Sequence, residues 1–146
     1  MNVLVVGEED YVDTLKKCTN GYRNLALFSC ASPEKSIHLF NEMDFDAVIA
    51  DWEYPLENVW YMFKMMKLRK PDVKIIISCN MENIINAIRA INRYADYYQC
   101  KPVTRTRFLS WLNLCGFEMD CETGFVPVNQ YVTIAQKNQG ADASAV

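Results

Sequence analysis

The stretch Phe45-Asp46-Ala47-Val48-Ile49-Ala50-Asp51-Trp52-Glu53-Tyr54-Pro55 runs from a short apolar core directly into an acid. Four apolar residues, Ala47–Ala50, fit a strand buried on both faces, as in a parallel sheet. Asp51 then stands at its carboxyl end. Similar runs recur along the chain at Val3–Val6, Leu25–Phe28, Val73–Ile77 and Asp96–Gln99. Helical spacing fills the intervals. Ser32-Pro33-Glu34 predicts an N-cap, a proline at the first helical position and an acid in the first turn, with Ile37, Phe40 and Met43 following on one face. Val59, Phe63 and Met66 mark a third helix that ends at Lys70-Pro71, and Ile84, Ile88 and Ile91 mark a fourth. Thr104 caps a fifth, with Phe108, Trp111, Leu112 and Cys115 inward and Gly116 at its end. Five strands alternating with five helices predict a doubly wound α/β domain over residues 1–117, with right-handed crossovers.

Composition agrees with one compact domain. The chain has 146 residues, of which 51% are hydrophobic and 23% charged, with 18 acids against 15 bases and a net charge of −3. That is too apolar for disorder and too weakly basic for nucleic-acid binding driven by charge. No run of about 18 apolar residues predicts a membrane span, and the N-terminus lacks the basic segment of a secretory signal. The six cysteines form no Cys-x-x-Cys pair and His38 is the one histidine, so zinc is not indicated. They read as reduced, mostly buried thiols of a cytoplasmic protein.

In doubly wound sheets the site lies outside the carboxyl ends of the strands. Those ends carry Gly7-Glu8-Glu9-Asp10, Asp51, Ser78-Cys79 and Lys101-Pro102. Singly, each has an ordinary role as a turn former, cap or surface charge. Together they suit phosphoryl transfer onto an aspartate. Carboxylates can hold Mg²⁺, a lysine neutralises the transferring group, and a hydroxyl bonds one of its oxygens.

In these motifs, namely Val3-Leu4-Val5-Val6-Gly7-Glu8, Phe45 to Pro55, Lys74-Ile75-Ile76-Ile77-Ser78-Cys79 and Tyr98-Gln99-Cys100-Lys101-Pro102, the chain resembles the response-regulator receiver domains of two-component signalling, the CheY-like family. The resemblance implies a flavodoxin-like five-stranded parallel sheet of order 2-1-3-4-5. It assigns Asp51 as phosphoacceptor, with Lys101 and Ser78 as the phosphoryl-contacting pair. Glu8, Asp51 and the carbonyl of Glu53 become the Mg²⁺ ligands, and Ser78 and Tyr98 the switch residues. It also implies a cis Lys101–Pro102 peptide, a histidine kinase or phosphotransfer protein as donor, and a homodimer or effector contact through the face of the fourth helix, fifth strand and fifth helix. Neither direct nucleic-acid binding nor a membrane is implied, and the domain is not a conventional enzyme.

The chain departs from the family where Gly7 replaces the first of two consecutive acids, where Cys79 replaces a small residue after Ser78, and at Val59, usually glycine. Gly7 supports an alternative, a phosphorylation-independent pseudo-receiver that binds proteins. A nucleotide-binding oxidoreductase fits poorly, because three acids follow Gly7. A haloacid-dehalogenase-type phosphatase would need an aspartate where Glu53 stands.

Other features have two readings. Tyr97-Tyr98 suits sheet packing as well as a switch, and Cys79 and Cys100 suit either burial or a thiol made reactive near Lys101. Lys64, Lys67, Arg69 and Lys70 form an anion site or simply favourable charge at a helix C-terminus. Arg89, Arg93, Arg105 and Arg107 outnumber Glu82 and Asp96 over the expected output face. Residues 118–146 carry Glu118, Asp120, Glu122 and Asp142 against Lys137, so the net −3 resides there and residues 1–117 are neutral. This extension, expected to be partly disordered and too short for an output domain, includes the apolar runs Phe125–Val128 and Tyr131–Ile134. The chain reads as a stand-alone receiver or one that stops before an output module.

Overall fold

A computed structural model describes residues 1–51, 59–83, 85, 89 and 94–117. Five parallel strands, β1 (Asn2–Val6), β2 (Ala26–Cys30), β3 (Ala47–Asp51), β4 (Lys74–Cys79) and β5 (Tyr97–Cys100), form one sheet in the order β2-β1-β3-β4-β5. Four α-helices are described: α1 (Glu9–Cys18), α2 (Pro33–Glu42), α3 (Val59–Arg69) and α4 (Arg105–Leu114). This is the expected flavodoxin-like architecture. Ile84, Ile88 and Ile91 lie outside the described residues, and of that stretch Ile85 and Arg89 are helical. The extension 118–146 also lies outside them.

Local rules set the helix ends. The Ser32 hydroxyl accepts a hydrogen bond from the Lys35 amide at 3.2 Å, with Pro33 opening α2. The Thr104 hydroxyl does the same for the Arg107 amide at 3.3 Å. Gly116, just past α4, adopts a φ of +91°, a left-handed conformation that a side chain disfavours.

Alternation along each strand divides the core in two. Leu4, Val6, Val48, Ala50, Ile75 and Ile77 face α2 and α3, where they meet Phe40, Phe45, Met62, Phe63 and Met66. Val3, Val5, Ala47, Ile49 and Ile76 face α1 and α4 and meet Val12, Leu15, Phe108 and Leu112. β1, β3 and β4 are thus buried on both faces, whereas edge strand β2 exposes Ala26 and Ser29. Tyr97 and Tyr98 pack on opposite faces, Tyr97 beside the α1 and α4 cluster and Tyr98 within the α2 and α3 cluster.

The fifth strand, sparse in apolar residues, is held by Asp96. Its Oδ2 accepts from the Ile75 amide at 2.8 Å and from Lys67 Nζ at 2.6 Å, and Lys67 also donates to the Val73 carbonyl. One carboxylate thereby joins α3, β4 and β5. Lys70 bonds Asp44 and the Phe45 carbonyl, and Arg69 bonds the Asn41 carbonyl. Three of the four basic residues, Lys67, Arg69 and Lys70, are thus engaged in structural contacts, which speaks against the anion-site reading, while Lys64 is exposed.

Of the five described cysteines, Cys18 and Cys79 are buried, while Cys30, Cys100 and Cys115 are half-buried, fewer fully buried than expected. Burial pushes the Cys115 thiol up to about 12, and raises Cys18 as well.

Two outcomes follow from these contacts. Asp96→Ala should lower stability by about 1–3 kcal/mol in urea melts, since it leaves the Lys67 ammonium and the Ile75 amide without this acceptor. In the folded chain Cys115 keeps its proton above the ordinary thiol value of 9.0, while the unfolded chain releases it. Stability should therefore fall as pH rises from 9 toward 12, by at most about 1.4 kcal/mol per pH unit from this group. Cys115→Val should flatten that fall, and identical pH slopes for both proteins would contradict the assignment.

Candidate functional site

Strand register assembles the site as a row. Val6 pairs with Ala50, so Gly7 stands next to Asp51; Asp51 pairs with Ser78, and Ser78 with Gln99. Each of these four continues the face of its strand that looks toward α1. Gly7, Asp51, Ser78 and Gln99 thus cross the carboxyl edge of the sheet side by side, beneath the first turn of α1.

Beside this row opens a cleft of about 520 Å³ lined by Glu8, Asp10, Tyr11, Thr14, Asp51, Asn80, Lys101, Pro102 and Val103. Lys101 Nζ lies 2.6 Å from Asp51 Oδ1. The Asp51 side chain is 9% exposed and that of Lys101 23%. At such burial a carboxylate needs a cationic partner, and Lys101 supplies it. The Lys101–Pro102 peptide is cis, as the resemblance implied. Glu8 is exposed at the cleft, immediately before α1.

The structure therefore brings Glu8, Asp51 and Lys101 to one cleft. Ser78 is adjacent to Asp51 but fully buried, and is not among the residues lining the cleft. Its Oγ lies 2.5 Å from the Tyr11 hydroxyl and 3.5 Å from Gln99 Oε1. Tyr98 is buried with its ring in the opposite core. Glu53 lies outside the described residues.

Tyr11 is the site residue that sequence reasoning missed. The residue is 8% exposed, Lys101 Nζ stands 5.5 Å from its ring centroid, and its hydroxyl reaches Ser78. The available signal was an aromatic residue four positions after the strand-end glycine, Gly7.

Two expectations change. Cys79 faces the α2 and α3 core with Ile75 and Ile77, not the cleft, because it alternates with Ser78 along β4. Cys100 packs beside the same core, 3.3 Å from Met81 Sδ, and does not line the cleft either. Arg105 turns away from the expected output face: it bonds the Asn20 carbonyl at 2.7 Å and covers the Tyr22 ring at 4.7 Å.

As for the metal, Glu8, Asp10 and Asp51 all line the cleft, and the two that the resemblance names, Glu8 and Asp51, meet the need of Mg²⁺ for one or two carboxylates plus phosphate oxygens. Gly7 contributes none. Among the described residues no group of three His, Cys, Asp or Glu is placed to hold a metal ion.

No family model and no curated protein matches the chain. Solved structures do. A response regulator receiver domain protein from Clostridium thermocellum is 22% identical, with a TM-score of 0.64 over 78% of this chain and 92% of that one. NtrX from Brucella abortus is 19% identical, with a TM-score of 0.70 over 78% of this chain, which spans 26% of NtrX. The chain has the receiver fold. A structure named adenylate cyclase, from Rhodopirellula baltica, matches at 16% identity with a TM-score of 0.68 and covers 94% of each chain. The solved cyclase chain is thus close in length to this one and shares its fold. Among the described residues no helix is long and apolar enough to cross a membrane.

Alkylation of the native protein should test the side-chain directions. Iodoacetamide at pH 8 should modify Cys100 well before Cys79, whereas both should react in the denatured chain. Rapid native labelling of Cys79 would place its thiol at the cleft after all.

Proposed function

We propose that this receiver-fold chain is a phosphoacceptor signalling domain that takes a phosphoryl group on Asp51. The observation that carries the reading is the 2.6 Å Asp51–Lys101 pair at the wall of a cleft shared with Glu8. A strand-end carboxylate held by a lysine, open to one cleft, is what an acyl-phosphate site requires. The donor is a phosphorylated histidine on a kinase or phosphotransfer protein, which places the chain in the cytoplasm.

In the transfer, an Asp51 carboxylate oxygen forms a bond to phosphorus as the P–N bond to the donor imidazole breaks. The imidazole leaves with the electron pair and takes up a proton. Lys101 orients the carboxylate beforehand and neutralises charge on the phosphoryl oxygens during the step. Glu8 and Asp51 would hold Mg²⁺, with the Glu53 carbonyl as the further ligand that the resemblance gives; the ion, when bound, supplies additional neutralisation of the phosphoryl oxygens. Ser78 then bonds a phosphoryl oxygen and Tyr98 follows it, altering the face around β5 for a second copy or an effector. On this reading the domain assists its own phosphorylation and hydrolysis and turns over no separate substrate.

One observation favours a second reading. Gly7 withholds a carboxylate and Tyr11 engages Ser78, as suits a pseudo-receiver that binds proteins without phosphorylation. Beryllofluoride separates the two. With Mg²⁺ at millimolar concentration, ¹⁹F NMR should show a bound fluoride signal for the native protein and none for Asp51→Asn. Absence of that signal in the native protein would overturn the phosphoacceptor reading in favour of the second.

A further inference from the structure

Gly7 has a reason to be glycine, and the reason is space. Among the described glycines, positive φ occurs at Gly21 and Gly116, so backbone conformation does not demand glycine at position 7. A Cβ there would lie 2.8 Å from Tyr11 Cδ1, 3.5 Å from Cε1 and 3.1 Å from Asp51 Cβ. The first distance is far inside van der Waals contact. The ring that it meets is buried in the α1 and α4 core and fixed at its far end by Ser78. It therefore cannot yield without breaking both packing and a hydrogen bond. Gly7 and Tyr11 form a matched pair, in which an aromatic side chain from α1 fills the volume that a side chain on β1 would enter.

The same ring touches the working parts of the site. It lines the cleft, lies beneath the Lys101 ammonium, and its hydroxyl meets Ser78 Oγ, which in turn faces Gln99 Oε1. Gln99 Nε2, a donor, is buried with no hydrogen-bond partner among the described residues, so the row beneath the ring is closed to water.

We propose that Tyr11 is a positioning residue with two effects on the cleft. Its ring excludes a carboxylate at position 7, next to Asp51, and so limits the divalent-cation affinity of the cleft. Its hydroxyl latches Ser78: Ser78 Oγ is buried toward Tyr11 and Gln99 rather than lining the cleft, so Ser78 turns away from Tyr11 to reach a phosphoryl oxygen on Asp51. The latch rests on the phosphoacceptor reading; the exclusion does not.

A four-protein cycle tests the exclusion by calorimetric Mg²⁺ titration of unphosphorylated protein. Gly7→Asp alone should lower the melting temperature and bind Mg²⁺ no tighter than the native chain. Tyr11→Ala alone should gain little, while Gly7→Asp with Tyr11→Ala should bind about tenfold tighter than either, having both the carboxylate and its space. A Gly7→Asp protein that folds only when Tyr11→Ala accompanies it supports the same steric pairing. A single Gly7→Asp that gains as much as the double variant overturns it.

Tyr11→Phe tests the latch, since it keeps the ring and removes the hydroxyl. Mg²⁺ affinity should stay within about twofold of native, and beryllofluoride affinity should rise about threefold, the effect expected of one net hydrogen bond. Unchanged beryllofluoride affinity overturns the latch. If the native chain and Tyr11→Phe both fail to take beryllofluoride, the latch falls together with the phosphoacceptor reading. The Mg²⁺ cycle still decides the Gly7–Tyr11 exclusion by itself.

Discussion

Three of the five strands are covered on both faces, and that constraint organises everything polar in this molecule. Along β1, β3 and β4 only backbone groups have hydrogen-bond partners within the sheet, so a polar side chain in their middle would be buried without one. Polar residues consequently gather where the strands end. Asp51 and Ser78 are the last or near-last residues of β3 and β4, and the parallel register sets them side by side. The cleft is thus a consequence of the packing, with Lys101 arriving from the end of β5 to balance the one acid that the packing nearly buries.

The same geometry explains why Tyr11, rather than a residue of another helix, governs the row. Strand parity turns Gly7, Asp51, Ser78 and Gln99 toward α1, and α1 begins two residues after Gly7. A side chain in the first turn of that helix lies directly over the row. An acid at position 7 and a tyrosine at position 11 compete for one volume, so the two positions have to be read as a pair. Glycine at position 7 is therefore one half of a local packing arrangement. It lets a phenol sit where its hydroxyl finds Ser78 and its face meets the Lys101 ammonium.

Much of this was legible from local rules. Ser32 and Thr104 behave as caps, Gly116 ends its helix in a left-handed conformation, and the apolar runs are the strands to within one or two residues at each end. What escaped depended on partners far away in sequence. Asp96 reads as a weak strand start or a surface acid until Ile75 and Lys67, 21 and 29 residues distant, fold against it. Tyr11 draws no reading from the sequence, because its role depends on Ser78, 67 residues away, which meets its hydroxyl. Arg105 reads as output-face charge until Asn20 and Tyr22 claim it. Cys79 is different: alternation along β4 already places it opposite Ser78, so strand parity alone contained the correction.

The charges of the cleft connect its resting state to its proposed use. Glu8 and Asp10 are exposed and solvated, so their charges are met largely by water. Asp51 is the buried acid, and Lys101 matches it one for one. With glycine at position 7, Asp51 is the one buried acid among the described residues, and the Lys101 ammonium stands against it in the resting cleft. A phosphoryl group on Asp51 would bring roughly two negative charges, more than one ammonium can offset. On the phosphoacceptor reading, demand for a divalent cation therefore rises with the phosphoryl group rather than before it. On that reading cation binding in this chain depends strongly on the phosphoryl oxygens, with Glu8 and Asp10 as the further carboxylates that line the cleft.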